Sequence, residues 1–414
     1  MPLNPGAEAL IARVTPPDKS QRIFAEATLV TSIGTGLYST GAVVFFVRSL
    51  HLSAAFVGTG LTIAAGAGLL SSLPAGRLAD RGRPKNVLVY LMLVQAVLFA
   101  VFPLVRGRIA FLAVVVAVGL AQNATGPVRQ VLISDLAAGG SRVAIAAYNR
   151  AVLNVGISLG ALLAAVALAL DSRAAYDSLL LGNAASFVAA GLLLHRVRVP
   201  AKTQPPPVED TTEAPVTQAH PLRQPRFVAA AAICGVLFLS ASVLDVALPL
   251  EVVQHTRAPR WMVAFLLLLN TVLAVALQVR ASRRSETVSG AARANRRAGV
   301  ALLGACLLFA LASDRMTGVA IALLIVATVL LTAGELLSSA GAWGLSYGLA
   351  PNDQLGKYLA SFGLLVEIIR VAGPALSAAV VAGGLTGWLL LGFGFLCSGL
   401  LAPLITGSRD NAGS

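Results

Sequence analysis

The amino-acid sequence predicts an all-α membrane protein with twelve transmembrane helices in two six-helix bundles. Its 414 residues are 57% hydrophobic and only 12% charged, whereas an average soluble domain carries about 25% charged residues. A transmembrane helix needs about 20 apolar residues, so twelve helices would occupy about 240 positions, which matches the hydrophobic share. This composition, with a mean hydropathy of +0.81, excludes a soluble enzyme, a disordered chain and a disulfide-rich secreted domain.

Twelve apolar runs follow one another between polar breaks. The predicted spans are 23–47, 54–75, 87–105, 109–136, 143–170, 179–194, 227–253, 261–279, 298–311, 318–349, 358–382 and 384–405. The ninth run is short, whereas the fourth and tenth are long, which predicts tilting or extension beyond the bilayer. The polar first 22 residues resemble no cleavable signal, so we expect the first span to direct insertion.

The basic residues predict the orientation of these spans. Of the 31 Lys and Arg residues, 21 lie in the tails and loops on the N-terminal side, seven in the opposite loops and three within spans. Cytoplasmic loops are enriched in Lys and Arg, so both termini are predicted to be cytoplasmic. The net charge of +13 is spread over short clusters between apolar runs, and we therefore expect no nucleic-acid partner. With its Arg and Ala bias, the chain is assigned to a bacterial cytoplasmic (inner) membrane.

One long polar stretch divides the chain in the middle. Residues 197–226 contain three consecutive prolines at 205–207 and the mixed polar and acidic segment 209–213, a composition typical of a flexible linker. The predicted organisation is a cytoplasmic tail 1–22, a bundle 23–196, a cytoplasmic linker 197–226, a bundle 227–406 and a cytoplasmic tail 407–414. Two six-helix halves are the repeat architecture of a large class of transporters.

A charged motif joins spans two and three. It reads Gly-Arg-Leu-Ala-Asp-Arg-Gly-Arg-Pro-Lys from Gly76 to Lys85. Gly76 allows two helix ends to approach closely, and Asp80 can meet a basic side chain or the positive N-terminus of a neighbouring helix. Arg81 and Arg83 would hold the loop at the anionic inner surface. The motif resembles the signature of the major facilitator superfamily, one residue tighter after Asp80. The resemblance implies the major facilitator fold and a conformational latch.

Shorter motifs resemble bacterial drug-efflux members of that superfamily, of the drug/proton antiporter type. They lie at residues 32–36, 154–156, 269–280, 334–337 and 349–358. The resemblance implies export of small lipophilic or cationic compounds, antibiotics among them, in exchange for protons, with the proton gradient as energy source and no cofactor. Two departures weaken the antiport implication. Val115 occupies the place of an Arg often found early in span four, and Gly160-Ala161 replaces a Gly-Pro pair in span five.

Carboxylates within the spans are the candidates for proton coupling. An ionisable side chain at the bilayer centre costs at least about 2.5–3.5 kcal/mol, so each is a functional candidate. Glu335, near the middle of span ten, is the first of them. Glu367 lies three residues before Arg370 on one helix face, which predicts either a structural bridge or a proton relay. Asp245, with Glu251 near the outer surface, would attract cations or simply be hydrated.

Polar side chains within or at the ends of spans are the candidates for substrate binding. They are Asn270, Arg370, Arg129, Asn154 and Glu26. Arg129 follows Pro127, which should kink span four and turn Arg129 towards a cavity or towards Asp135. Hydrogen bonding between helices is the alternative interpretation, and for Glu26 an ion pair with Arg22.

No sequence motif indicates catalysis, ATP hydrolysis or a metal site. The three cysteines lie inside apolar runs without a CxxC pair, which argues against a disulfide framework and a thiolate metal site. Gly34-x-Gly36 and Gly392-x-Gly394 partly mimic a dinucleotide loop but lie inside spans, where helix packing explains them. We therefore expect a monomeric transporter, not an enzyme, whose partners are a small-molecule substrate, protons and the lipid bilayer. The alternatives are a dedicated transporter of a sugar, amino acid or natural product, or a non-transporting sensor or scaffold.

Overall fold

A computed structural model describes residues 18–81, 83–137, 140–170, 172–199, 221–259, 261–313 and 315–406. Within these ranges the regular structure is helical and contains no strand, which confirms the predicted all-α membrane fold. Most of the predicted tails and linker lies outside the described residues, so the predicted domain boundaries stay a prediction.

The described residues of the first half form six long helices. They are α1 Lys19–Arg48, α2 Ala54–Asp80, α3 Pro84–Val101, α4 Gly107–Leu136, α5 Arg142–Leu170 and α6 Arg173–Arg196. A short 3-10 turn, Phe102–Leu104, extends α3. Helix α4 continues through Pro127 without a break.

The helices of the second half vary widely in length, from 3 to 32 residues. They are α7 Pro225–Leu237, α8 Ser240–Ser242, α9 Leu248–Gln254, α10 Trp261–Ser282, α11 Val288–Ala312, α12 Thr317–Gly348, α13 Leu355–Arg370, α14 Gly373–Ala382 and α15 Gly384–Thr406. A π-helical turn, Val243–Ala247, joins α8 to α9. Two 3-10 turns, Pro221–Arg223 and Asn352–Gln354, precede α7 and α13.

In the described part of the chain, eleven helical segments are long and apolar enough to cross a membrane. Two of them combine helices, since α7 to α9 form one segment and the turn before α13 forms another with α13 and α14. Helix α1 has 30 residues and occupies the position of the predicted first span. At about 1.5 Å rise per residue it is long enough to cross a bilayer.

Predicted spans seven, nine and eleven differ most from the structure. Spans seven and eleven were expected to be continuous, but the former contains the π turn and the latter breaks after Arg370. Pro374 explains the second break, because it has no N–H for the carbonyl of Arg370. Span nine begins at Val288, ten residues before the predicted start. Arg293 and Arg297 lie on its exposed face and lower the average hydropathy, so the sequence there resembles a loop.

The helices cluster into two compact units. One comprises Met1–Gln224 with Pro351–Ser361, and the other comprises Pro225–Ala350 with Phe362–Ser414. We call them unit one and unit two. In unit one, α1 packs on α5 and α6, and α2 packs on α4. In unit two, α11 packs on α12 and α15, and α10 packs on α12.

Glycines set the closest helix approaches in unit one. Gly36 on α1 faces Gly160 on α5, and a Cβ at either position would overlap the opposite backbone. A Cβ at Gly34 would overlap Ser186 on α6. Small residues permit such approaches between membrane helices, which confirms the packing interpretation of Gly34-x-Gly36.

Candidate functional site

A polar contact between α10 and α12 lies inside unit two. The side-chain amide of Asn270 donates hydrogen bonds from Nδ2 to Oε2 of Glu335 at 2.8 Å and to Oγ1 of Thr332 at 3.0 Å. Asn270 is 8% exposed, whereas Glu335 is half-buried. The structure therefore brings a predicted coupling carboxylate together with a predicted substrate-binding amide.

The threonine fixes the orientation of this amide. Thr332 donates its single hydroxyl hydrogen to the carbonyl of Thr328 at 2.7 Å, so its oxygen can only accept from α10. The Asn270 group that faces it must be the NH₂ group, which has two hydrogens, one for Thr332 and one for Glu335. The sequence analysis did not single out Thr332, although its position three residues before Glu335 on one helix places both on the same face.

The position of Asn270 follows from a four-residue period on α10. The buried residues of this helix are Met262, Leu266, Asn270, Ala274, Gln278 and Ser282. Residues four apart form a ridge along one side of a helix, and this ridge faces α12. Asn270 is thus placed in an otherwise mainly apolar contact, where low local polarity strengthens its hydrogen bonds.

A second charged group in unit two combines three predicted residues. The guanidinium of Arg370 donates a hydrogen bond to Oε2 of Glu367 at 2.9 Å, and both side chains are partly exposed. Asp245 lies on the π turn, which packs against α14, the helix that follows Arg370. The predicted Glu367–Arg370 bridge is therefore present, and Asp245, which was predicted independently, lies close to it.

Glu251, which the sequence analysis placed near the outer surface, is enclosed by protein. It is 1% exposed and accepts hydrogen bonds from the Ser313 hydroxyl at 2.6 Å and the Trp388 indole N–H at 3.0 Å. His255 lies 3.4 Å away, one helical turn further along the chain. Residues distant in sequence therefore enclose this carboxylate, and the two interpretations of Asp245, cation attraction or hydration, stay predictions.

Unit one contains a polar cavity of about 230 Å³ that includes Arg129. Hydroxyl and amide side chains form much of its lining, namely those of Thr31, Ser32, Thr35, Gln95, Gln122 and Thr125. They come from α1, α3 and α4, so three helices contribute polar groups. The cavity also has an apolar wall that includes Phe187 of α6.

Arg129 is the charged group of this cavity. Its Nε is buried without a hydrogen-bond partner, and Arg129 forms no ion pair among the described residues. Of the two predicted directions, the structure shows the cavity and not Asp135. Asn154, a second predicted binding residue in unit one, is half-buried and is absent from the cavity lining. Only Arg129 of this predicted pair therefore contributes to the cavity.

Glu26 lies at a separate cavity of unit one. It is exposed. The cavity has a volume of about 960 Å³, and basic residues of α1 and the end of α6 also line it, among them Arg22 and Arg196. The mixed charge of this cavity fits the alternative interpretation of Glu26 as a partner for basic side chains.

The charged motif after α2 contacts the start of α13 within unit one. The backbone N–H of Gly356 donates to Oδ1 of Asp80 at 2.6 Å, and that of Lys357 donates to Oδ2 at 2.9 Å. A Cβ at Gly76 would overlap the carbonyl of Gly356. Of the two partners predicted for Asp80, the structure shows the helix N-terminus, whose positive end attracts a carboxylate.

The basic residues of the motif behave differently from one another. Lys85 donates from Nζ to the carbonyls of Val197 at 3.1 Å and His195 at 3.4 Å, where its charge complements the C-terminus of α6. Arg81 and Arg83 are exposed, and Gly82 lies outside the described residues.

The described ranges contain no group of three His, Cys, Asp or Glu residues that could hold a metal ion. Cys234 and Cys306 are buried, Cys397 is half-buried, and each is a free thiol.

Comparison with protein families gives a match over most of the chain. The model of the Major Facilitator Superfamily matches residues 24–374. The chain belongs to this superfamily. It is therefore a multi-pass membrane transporter, and superfamily members bind small-molecule substrates and often couple transport to protons. Comparison with curated proteins gives no match.

Solved structures show the same fold. The human organic anion transporter MFSD10 is 18% identical with a TM-score of 0.64, over 94% of this chain and 100% of that chain. A bacterial homologue of the iron transporter ferroportin, in an outward-facing state, is 17% identical with a TM-score of 0.68, over 95% of this chain and 100% of that chain. The E. coli fucose:proton symporter is 14% identical with a TM-score of 0.68, over 93% of this chain and 98% of that chain. The substrates of these transporters differ in kind, so the likeness supports the fold and no particular substrate.

Proposed function

We propose that this transporter exports small lipophilic or cationic compounds in exchange for protons, by exposing its site alternately to each side of the membrane. The contact of Asn270 with Glu335 is the observation that carries the proposal. It holds an ionisable carboxylate in the interior of an apolar helical unit, where an unneutralised charge is costly. The resemblance of several spans to drug-efflux members supports the direction and the substrate class.

The chemistry of exchange follows from the need to neutralise Glu335. A carboxylate in a medium of low polarity is stabilised either by binding a proton or by pairing with a cation. Arrival of a cationic compound at Glu335 would release the proton, and a proton from the other side would release the compound. Asn270 donates to Oε2 of Glu335 and would hold the carboxyl group in place while the proton and the compound exchange.

The test is proton movement in energised everted vesicles with a panel of cationic dyes, antibiotics and neutral metabolites. We expect compound-induced proton release in the unchanged protein and its loss in Glu335→Gln. Glu286→Gln is the matched control, because Glu286 is an exposed carboxylate between α10 and α11. Release that survives Glu335→Gln would assign coupling to Glu367 or Asp245 instead. A folded protein that moves no compound of the panel would contradict the proposed export.

A dedicated metabolite transporter is the second candidate, and the cavity around Arg129 favours it. An Arg side chain offers a planar fork of donors that matches a carboxylate, and the surrounding hydroxyl and amide groups suit a polar solute. This candidate predicts uptake or efflux of small acids that Arg129→Gln abolishes and Arg129→Lys reduces. The same variants would leave the movement of cationic dyes unchanged. If Arg129→Gln alters dye and acid transport equally, the residue has a structural role.

A further inference from the structure

Unit two contains a strongly basic cavity that the transport function does not use. It has a volume of about 710 Å³ and lies between the end of α10, the following loop and the start of α11. Five arginines line it, namely Arg280, Arg283, Arg284, Arg293 and Arg297. The arginines on α11 are four residues apart and therefore share one helix face. The cavity thus collects side chains from consecutive segments rather than from one helix alone.

The guanidinium groups of this cavity are not neutralised by the protein. Within the described ranges, none of the five arginines forms an ion pair or donates a side-chain hydrogen bond. Glu286 is the one acidic residue between Gln278 and Val300, and it is absent from the cavity lining. Like charges gathered around one space repel each other, so an anion in the cavity would relieve that repulsion.

A buried hydroxyl provides independent support for a ligand. Ser285 lines the same cavity, is 1% exposed, and its Oγ has no hydrogen-bond partner. Buried polar atoms are nearly always paired, so the Ser285 hydroxyl is available to donate a hydrogen bond to a ligand. Gly290, in the first turn of α11, also lines the cavity, and the positive end of this 25-residue helix adds to the attraction for an anion.

We propose that this cavity binds the phosphate headgroup of an anionic membrane lipid. Arginine forks match phosphate oxygens in geometry and charge, and the Ser285 hydroxyl supplies a further donor. A lipid is favoured over a soluble phosphate because apolar side chains continue from the cavity along both helices. Leu277 lies three residues before Arg280 and Val300 three residues after Arg297, and both are exposed. The predicted orientation places this end of unit two at the cytoplasmic leaflet, where anionic lipids attract basic pockets.

The test compares lipid binding by the purified protein and two double variants. The probe is dioleoyl phosphatidylglycerol in detergent solution, measured by native mass spectrometry, with dioleoyl phosphatidylcholine as the neutral lipid. Arg293→Gln/Arg297→Gln removes two cavity charges. Arg223→Gln/Arg226→Gln removes two exposed arginines elsewhere on the chain. We expect roughly 30-fold weaker phosphatidylglycerol binding in the first variant and less than about twofold change in the second, as for other exposed sites.

Three outcomes would overturn the proposal. The first is equal binding of phosphatidylglycerol and phosphatidylcholine, and the second is equal weakening in both double variants. The third is displacement of phosphatidylglycerol by inorganic phosphate or glycerol phosphate at matching concentrations, which would assign the cavity to a soluble phosphate. If the glutamine variant does not fold, Arg293→Lys/Arg297→Lys replaces it. That variant keeps the charges but loses the fork, so it should bind phosphatidylglycerol more weakly than the unchanged protein, by less than the roughly 30-fold expected for loss of both charges, and remain selective for it. Binding equal to that of the unchanged protein would overturn the proposal.

Discussion

Replacing Asp80 tests whether its carboxylate holds the first turn of α13. The structure shows two hydrogen bonds, from the N–H groups of Gly356 and Lys357 to the two carboxylate oxygens. A hydrogen bond to a charged group contributes about 1.5–3 kcal/mol. In Asp80→Asn one oxygen becomes an NH₂ group, which cannot accept, so one bond is lost. In Asp80→Ala both bonds are lost.

Amide hydrogen exchange measures these bonds directly. A loss of about 1.5–3 kcal/mol corresponds to roughly 10- to 150-fold faster exchange of the freed amide. A peptide that contains Gly356 and Lys357 should gain one rapidly exchanging deuteron in Asp80→Asn and two in Asp80→Ala. The protein is studied in lipid nanodiscs, so the exchange of all other peptides serves as an internal reference.

The matched control is Arg81→Gln, which changes one charge at the adjacent exposed position. It should leave exchange at Gly356 and Lys357 unaltered. Unchanged exchange in Asp80→Ala, or acceleration of the same size in Arg81→Gln, would refute the assignment. The first turn of α13 would then be held by its other contacts, and the bulk charge of the loop would be its relevant property.

Two further predictions concern stability. Glu251→Ala leaves the buried indole N–H of Trp388 and the half-buried hydroxyl of Ser313 without their acceptor, so it should destabilise by about 2–4 kcal/mol. Glu286→Ala, in an exposed loop, should change stability by less than about 0.5 kcal/mol. Thermal unfolding in detergent compares the two, and equal midpoints would contradict the buried network. Gly160→Ala forces a methyl group against the backbone of α1 and should cost about 1–3 kcal/mol, whereas Gly126→Ala meets nothing within 4 Å. Equal thermal midpoints of these two variants would show that the helices separate at no cost.

The fold was predictable because the bilayer imposes simple rules on a sequence. Backbone polar groups in hydrocarbon must be satisfied within the segment, so each apolar run of sufficient length becomes a helix. The failures occur where average hydropathy is a poor guide. The first ten residues of α11 combine exposed arginines such as Arg293 with buried alanines such as Ala292. Their mean hydropathy is therefore low, and the segment was predicted to be a loop. The π turn at Val243–Ala247 contains no Pro, so nothing in the local sequence indicates an irregular turn there.

The sites were only partly predictable, because pairing between helices depends on rotation and depth. Asn270 and Glu335 were both selected as polar residues in apolar runs, but their contact is set by the four-residue ridge of α10. The burial of Glu251 was not predicted, because sequence position alone does not show that Trp388, 137 residues later, covers it. Long-range enclosure of this kind leaves no local signal.

The two interrupted helices of unit two have a consequence for hydration. The interruptions adjoin each other, since Gly373 at the start of α14 packs against Ser242 just before the π turn. Irregular backbone inside a bilayer is tolerated only where protein or water satisfies its polar groups. The carbonyl of Arg370 has no helical hydrogen-bond donor, because Pro374 lacks a backbone N–H. Water should therefore accompany this part of unit two across the hydrocarbon depth.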